Sequence, residues 1–155
     1  HWTRPTVATA EQFYVDSSVA QTLYVPGPAS LRVSRWRRSI GDAIPLTQFG
    51  YAELTNAVAQ AQHRHILDAH GTRAAFAALA HDLAEGHLRL HDLLWRRALD
   101  RTAELSRAHT ITLGTRTLDV LHVASALELG ARTFVTYDTR QAALAKAVGL
   151  QTLAP

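Results

Sequence analysis

The sequence predicts an α/β domain built around a central, mostly parallel sheet. Short runs of β-forming apolar residues alternate along the 155-residue chain with longer stretches whose apolar residues have helical spacing. The apolar runs at 12–15 and 133–137 each end directly on an aspartate, Asp16 and Asp138, that begins a helix. In parallel α/β sheets, binding sites form beyond the carboxyl ends of the strands, so both aspartates stand where a site is expected.

The elements are predicted from apolar spacing, from polar residues that begin helices and from the Gly and Pro residues that end them. In order, they are a strand at 12–15, a short helix that stops before Pro26, a helix at 29–40, a strand at 43–47, a helix at 49–64, a helix at 72–85, a weaker strand at 87–92, a helix at 93–108, a helix at 118–129 ended by Gly130, a strand at 133–137, a helix ending near Gly149 and an edge strand at 151–153.

Composition excludes several classes of protein. The chain has no cysteine, which rules out a disulfide framework and a thiolate site. It has no apolar run of the ~20 residues that span a bilayer and no visible signal peptide, so we expect a cytoplasmic protein with no membrane partner. Residues 1–11 have no periodic pattern and are interpreted as a leader or expression remnant, and 12–155 as the domain. The net charge of +3 permits a nucleic-acid partner without requiring one.

Four acidic residues are candidates for a functional site: Asp16, Glu53, Asp119 and Asp138. Each also has an ordinary structural explanation, because three stand where carboxylates favour a helix N-terminus and Glu53 lies on a polar helix face. In a parallel sheet, however, the four positions converge on one rim. Clustered carboxylates repel each other unless a cation lies among them, and Mg²⁺ or Mn²⁺ prefers oxygen ligands. Spacing alone leaves both interpretations open, a cation site or a set of helix caps.

Four segments resemble the acidic motifs of PIN-domain proteins, and most closely those of the VapC toxins of type II toxin–antitoxin modules. The segments 116–131 and 133–141 are similar to the third and fourth motifs of that family, and they are the more specific pair. The segments 13–19 and 46–54 resemble the first and second motifs. The resemblance covers nearly the whole chain, with the acids in the family's order.

This resemblance implies a three-layer α/β/α fold with a parallel sheet of about five strands. It implies a Mg²⁺ or Mn²⁺ site in which Asp16 and Asp119 are the principal ligands and Glu53 and Asp138 complete the acidic cluster. It further implies an endoribonuclease that cleaves RNA phosphodiester bonds by metal-activated water. The expected partners are structured tRNA or rRNA, a small cognate VapB-like antitoxin and a second copy of the chain.

Other side chains have expected roles around the acids. The hydroxyls of Ser17 and Thr136 are placed to hold the carboxylates or a bound water, and Arg116 and Arg140 lie beside the acidic motifs, where they suit a substrate phosphate. His122 is interpreted as a packing or helix-support residue. Trp95 and its apolar neighbours are expected in the core.

Three alternatives stay open at this point. The chain could be a housekeeping PIN nuclease of RNA processing, or a non-catalytic PIN domain that binds RNA or serves as a scaffold. The presence of all four acids argues against the non-catalytic domain. The chain could also be an unrelated α/β domain whose acids merely cap helices.

Overall fold

The computed structural model describes residues 12–155, so the predicted leader at 1–11 lies outside the described residues. The strands are β1 (Phe13–Val15), β2 (Ile44–Thr47), β3 (Leu88–His91), β4 (Thr133–Val135) and β5 (Gln151–Leu153). The helices are α1 (Ser17–Ala20), α2 (Ser30–Ile40), α3 (Gln48–His63), α4 (Ala69–Ala84), α5 (Trp95–Leu105), α6 (Ile111–Leu113), α7 (Thr117–Glu128) and α8 (Thr139–Ala147).

Every strand pairing in the described residues is parallel. The ladders form a three-stranded group in the order β1-β4-β5 and a two-stranded group of β2 and β3. Strand β2 also lies against β1, which brings the two groups side by side. The five predicted strands are therefore confirmed, although their ladder hydrogen bonds form two groups rather than one. Because the strands are parallel, their carboxyl ends lie along one edge, which we call the carboxyl edge.

Alternate residues of β1 and β4 pack against helices on opposite faces of the sheet. Val15 and Val135 pack among buried residues of α1, α2, α3 and α4, whereas Tyr14 and Phe134 pack among those of α7 and α8. This alternation follows from the period of two along a strand, which points successive side chains to opposite faces. The sheet is thus covered on both faces, and the predicted three-layer α/β/α fold is confirmed.

The structure corrects three details of the prediction. Strand β4 ends at Val135 rather than at 137, because its pairing with β1 and β5 stops at that residue. The predicted helix at 93–108 ends as α5 at Leu105 and continues as a π-helical turn at Ser106–Thr110. Trp95 is 37% exposed and packs edge-on against Phe49, so its assignment to the core was wrong.

Helix α7 ends at Glu128, with Leu129 as its C-cap, directly before Gly130, which the sequence predicts as its stop. This glycine has φ +72°, the Ala131 amide donates to the Ala126 carbonyl, and the Gly130 amide donates to the Leu127 carbonyl. The pair of bonds is a Schellman motif, which needs a left-handed residue at this position.

We expect Gly130→Ala to lower the free energy of unfolding by about 1–2 kcal/mol, because a Cβ is strained in the left-handed region. Urea unfolding of the purified chain measures the difference. Gly27→Ala is the matched control, since Gly27 has no positive φ and open space around it. Equal stability of the two variants would contradict the assignment of the cap.

Asp82 in α4 contacts three polar side chains, those of Tyr24, of Arg37 in α2 and of His87, which directly precedes β3. It accepts a hydrogen bond from the Tyr24 hydroxyl at 2.5 Å and lies 3.4 Å from the Arg37 guanidinium and 3.1 Å from the His87 ring. Burial alone would raise the pKa of the Asp82 carboxyl, but these hydrogen bonds and the guanidinium outweigh it and hold the pKa below its ordinary value.

A carboxyl whose pKa is lower in the folded than in the unfolded state stabilises the fold at neutral pH. That stability is lost as the pH falls below about 5 and the carboxyl becomes protonated. We therefore expect Asp82→Asn to reduce the difference in unfolding free energy between pH 7 and pH 3, measured by urea unfolding at each pH. A pH dependence identical to that of the wild type would show that Asp82 makes no such contribution.

Within residues 12–155, no helix combines the length and the apolar character needed to cross a membrane.

Candidate active site

Asp16 lies at the centre of the carboxyl edge, where β1 ends. Its amide donates to the Val135 carbonyl, which ties it to the end of β4, and its side chain is almost fully buried. One carboxylate oxygen accepts hydrogen bonds from the Ser18 amide and from the Thr136 hydroxyl, each at 3.2 Å. Asp16 is therefore both the N-cap of α1 and a buried charge directed at the neighbouring strand end.

Asp119 approaches the edge from the first turn of α7. Its Oδ2 accepts a hydrogen bond from the Arg116 amide at 3.1 Å, and its Oδ1 lies 3.3 Å from the amide nitrogen of Gln141. The same Gln141 nitrogen lies 3.5 Å from Asp16 Oδ1. One buried side-chain amide therefore links the two aspartates that the motif resemblance implies as principal ligands.

Glu53 reaches the same edge from α3 through a histidine. His122 on α7 is buried, and its Nε2 contacts both Glu53 Oε1, in a short hydrogen bond, and Asp16 Oδ1 at 3.5 Å. The other ring nitrogen, Nδ1, lies 2.7 Å from the Tyr14 hydroxyl. Glu53 is thus brought to the site by a side chain that contacts Asp16 as well.

Asp138 stands slightly apart from these three carboxylates. It caps α8 through hydrogen bonds from the Arg140 and Gln141 amides to Oδ1, at 2.8 and 3.0 Å. Its own amide donates to the Thr136 hydroxyl at 2.9 Å. With Asp119, it lines a cleft of about 430 Å³ that also holds Arg116 and Arg140. The two arginines therefore lie beside Asp119 and Asp138 in one cleft.

Ser18, the neighbour of Ser17, is the serine whose hydroxyl contacts Thr136. In the described residues, the hydroxyl that reaches Thr136, at 3.4 Å, belongs to Ser18, which also accepts a hydrogen bond from the Tyr137 amide. Ser17 begins α1 and makes neither contact, because one residue of helix rotates its side chain away from the edge. Thr136 contacts the Asp16 carboxylate and the Gln141 side-chain oxygen.

Sequence reasoning missed the site contacts of three residues: Gln141, His122 and Tyr14. Gln141 has the spacing of a capping box with Asp138, and His122 lies one turn after Asp119, so both signals were visible but had a local explanation. Tyr14 gave no signal beyond that of an apolar strand residue. Its hydroxyl is fully buried, and burial raises its pKa far above the ordinary value.

The donor set fits a hard divalent cation in its chemistry. Asp16, Glu53 and Asp119 supply carboxylate oxygens, which Mg²⁺ and Mn²⁺ prefer, and they are held near one another by shared donors. Among residues 12–155, however, no group of three or more acidic or histidine side chains is arranged to enclose a metal ion as the side chains stand. Both oxygens of Asp16 and Asp119 are directed at backbone amides or at Thr136, Gln141 and His122, so a cation would require these two side chains to rotate, whereas Glu53 contacts His122 through one carboxylate oxygen.

A larger cleft, of about 600 Å³, lies at the opposite edge of the sheet. It is lined by residues that precede β2 and β3, and by Arg37, Asp82 and His87. Arg37 and His87 in this cleft are paired with Asp82, and none of the four candidate acids lines it. The smaller cleft at the carboxyl edge is therefore the better candidate for the active site.

Comparison with known proteins agrees with this fold. The family model described as the PIN domain matches residues 13–147. The chain therefore belongs to the PIN domain family. PIN domains are generally nucleases and typically use divalent metals.

Among solved structures, the crystal structure of FitAcB from Neisseria gonorrhoeae is similar to this chain, with a TM-score of 0.65 and 21% sequence identity. The similarity covers 92% of this chain and 97% of the other, and at this identity it supports the fold alone. No curated protein matches the sequence.

Proposed function

We propose that this PIN domain is a Mg²⁺-dependent endoribonuclease, with Mn²⁺ as a possible substitute, and the toxin of a VapBC-type toxin–antitoxin system. The observation that carries the proposal is the convergence of Asp16, Glu53 and Asp119 on one edge, joined through Gln141 and His122. A domain without nuclease chemistry would have no use for three carboxylates held together against their mutual repulsion.

Each residue of the site has a proposed role in hydrolysis. Asp16 and Asp119 hold the cation, and Glu53 and Asp138 complete the acidic cluster. When bound, Mg²⁺ or Mn²⁺ supplies Lewis acidity toward the phosphodiester and lowers the pKa of water. Arg116 and Arg140 in the cleft orient the substrate phosphate.

The carboxylates accept the proton of the attacking water, and no RNA 2′-hydroxyl takes part. The bond from the water oxygen to phosphorus forms as the P–O3′ bond breaks, and the departing 3′ oxygen takes a proton from solvent, so cleavage leaves 5′-phosphate and 3′-hydroxyl ends. The Thr136 hydroxyl holds the Asp16 carboxylate in place during the reaction.

The proposed partners follow from the same assignment. The substrate is a structured RNA, tRNA or rRNA, met in the cytoplasm, and the enzyme acts as a homodimer that a small VapB-like antitoxin inhibits. The similarity of the segments 116–131 and 133–141 to VapC motifs supports this assignment, and the fold likeness to FitAcB is compatible with it.

Activity is tested with the purified chain, a tRNA transcript and Mg²⁺. We expect the wild type to produce fragments with 5′-phosphate ends, EDTA to abolish them and Asp119→Asn to produce almost none. Asn keeps the size of the side chain and its acceptor for the Arg116 amide, so the variant removes charge rather than shape. Equal loss of RNA with wild type and variant would contradict the mechanism.

The toxin role needs a separate experiment. The chain is induced in cells with and without the small open reading frame beside its gene, and growth and RNA ends are followed together. Growth arrest that the neighbouring reading frame relieves would support the toxin. Normal growth at confirmed expression of an active enzyme would instead favour a housekeeping PIN nuclease.

A further inference from the structure

His122 is placed between two parts of the molecule that are far apart in sequence. The side chain projects from α7 and is only 2% exposed. Its two ring nitrogens contact Tyr14 on β1 and Glu53 on α3, and the Phe49 ring lies against it with centroids 4.3 Å apart. The imidazole therefore fills a buried position with both of its polar atoms paired.

The contact with Glu53 indicates which ring nitrogen of His122 donates a hydrogen bond to the carboxylate. An ionised carboxylate only accepts hydrogen bonds, so His122 Nε2 carries the proton that is donated to Glu53. The other ring nitrogen, Nδ1, lies 2.7 Å from the Tyr14 hydroxyl, so the ring is held by a hydrogen bond from the side opposite Glu53 as well.

We propose that His122 is a positioning residue for the acidic site, a proposal that rests on the proposed function. Held by Tyr14, its Nε2–H fixes the Glu53 carboxylate at the carboxyl edge beside Asp16, so that Glu53 is preorganised as part of the cation-binding set. The sequence assigned His122 to packing or helix support. Its contacts with two of the four acids give it this further role.

Glu53 needs such a partner more than the other acids do. Asp16, Asp119 and Asp138 are each fixed by backbone amides at a helix start. Glu53 lies in the middle of α3, its side chain is 27% exposed, and its one described contact at the site is with His122. A glutamate has three rotatable side-chain bonds, and without His122 it would lose this orientation to water and to repulsion from Asp16.

Two variants distinguish the hydrogen bond that His122 donates to Glu53 from the packing of the His122 ring. His122→Gln places an amide nitrogen near the position of Nε2 and keeps a donor for Glu53, whereas His122→Leu fills the space without a donor. Binding of Mn²⁺ to the full chain, measured by calorimetry without RNA, is the readout. We expect His122→Leu to weaken Mn²⁺ binding about 10- to 100-fold, as the loss of a hydrogen-bond partner of a metal ligand does, and His122→Gln to restore most of it.

A double-mutant cycle shows whether His122 acts through Glu53. In a Glu53→Gln background, His122→Leu should weaken Mn²⁺ binding no further, because the carboxylate that it positions is gone. Tyr14→Phe, which removes only the hydroxyl, should weaken Mn²⁺ binding in the wild type but not in His122→Gln. This variant tests the same inference if His122→Leu does not fold.

The outcomes of this inference and of the proposed function can be told apart. Wild-type binding of Mn²⁺ that depends on His122 and Glu53, without cleavage of RNA, would support the positioning role and overturn the nuclease. Mn²⁺ binding that is unchanged in His122→Leu, or equally weak in His122→Leu and His122→Gln, would overturn the positioning role. Absence of Mn²⁺ binding by the wild type would overturn it as well.

Discussion

Replacing Asp16 with asparagine is expected to lower the rate of RNA cleavage by a factor of about 100 or more and to leave the fold intact. Removing even an outer partner of a metal ligand costs about 10- to 100-fold, and Asp16 is a proposed direct ligand. Asparagine keeps the oxygen that accepts from the Ser18 amide and the Thr136 hydroxyl, and it caps helices about as well as aspartate. What is lost is the buried negative charge.

Asp68→Asn is the matched control for this variant. Asp68 caps α4 by accepting from the Gly71 amide at 2.7 Å, so it undergoes the same chemical change at a helix start that is not part of the acidic site. Initial rates with Mg²⁺ and thermal melts of both variants make the comparison. Equal rates for Asp16→Asn and Asp68→Asn would show that Asp16 is only a helix cap.

The largest loss of stability is expected from Phe134→Ala. Phe134 lies in β4, between β1 and β5, is fully buried and stacks on the Tyr14 ring with centroids 5.4 Å apart. Truncating a buried phenylalanine costs about 3–5 kcal/mol through lost burial and the cavity that remains. Domains of this size are stable by only about 5–15 kcal/mol, so the variant would lose much of its stability.

Urea unfolding with Leu31→Ala as control tests this expectation. Leu31 is an apolar residue of α2 that is 73% exposed, so its truncation should change the free energy of unfolding by less than about 0.5 kcal/mol. Tyr14 would lose its stacking partner, and Tyr14 also holds His122. We therefore expect the folded fraction of Phe134→Ala to cleave RNA more slowly than the wild type. A loss of stability no greater than that of Leu31→Ala would contradict the central position of β4.

The fold could be predicted from the sequence because its signals are local. Apolar runs, capping residues and Gly130 lie within a few positions of the elements that they define, and even the weaker strand at 87–92 is present as β3. The edge shared by Asp16 and Asp138 follows from parallel strand order alone. Trp95 was misplaced because helical spacing identifies an apolar residue but does not say whether another element covers it.

The contacts within the site could be predicted only in part. Glu53 entered the candidate set through its order along the chain. What brings it to Asp16 is its contact with His122, which lies 69 residues away in the sequence. Gln141 likewise contacts Asp16 and Asp119, which lie 125 and 22 residues away in the sequence, so spacing does not reveal these contacts. The choice between Ser17 and Ser18 depends on the rotation of α1 about its axis, which strand and helix periodicity do not fix at a four-residue helix.

Three of the four acids point their oxygens at the amides that begin α1, α7 and α8, and this arrangement couples the site to the ends of those helices. A cation that draws a carboxylate away from its amide leaves that amide free to exchange its hydrogen with solvent. The exchange rates of the Ser18, Arg116 and Arg140 amides would therefore show whether the proposed cation is bound. Hydrogen exchange at these three positions would reveal, helix by helix, which carboxylate has turned toward the ion.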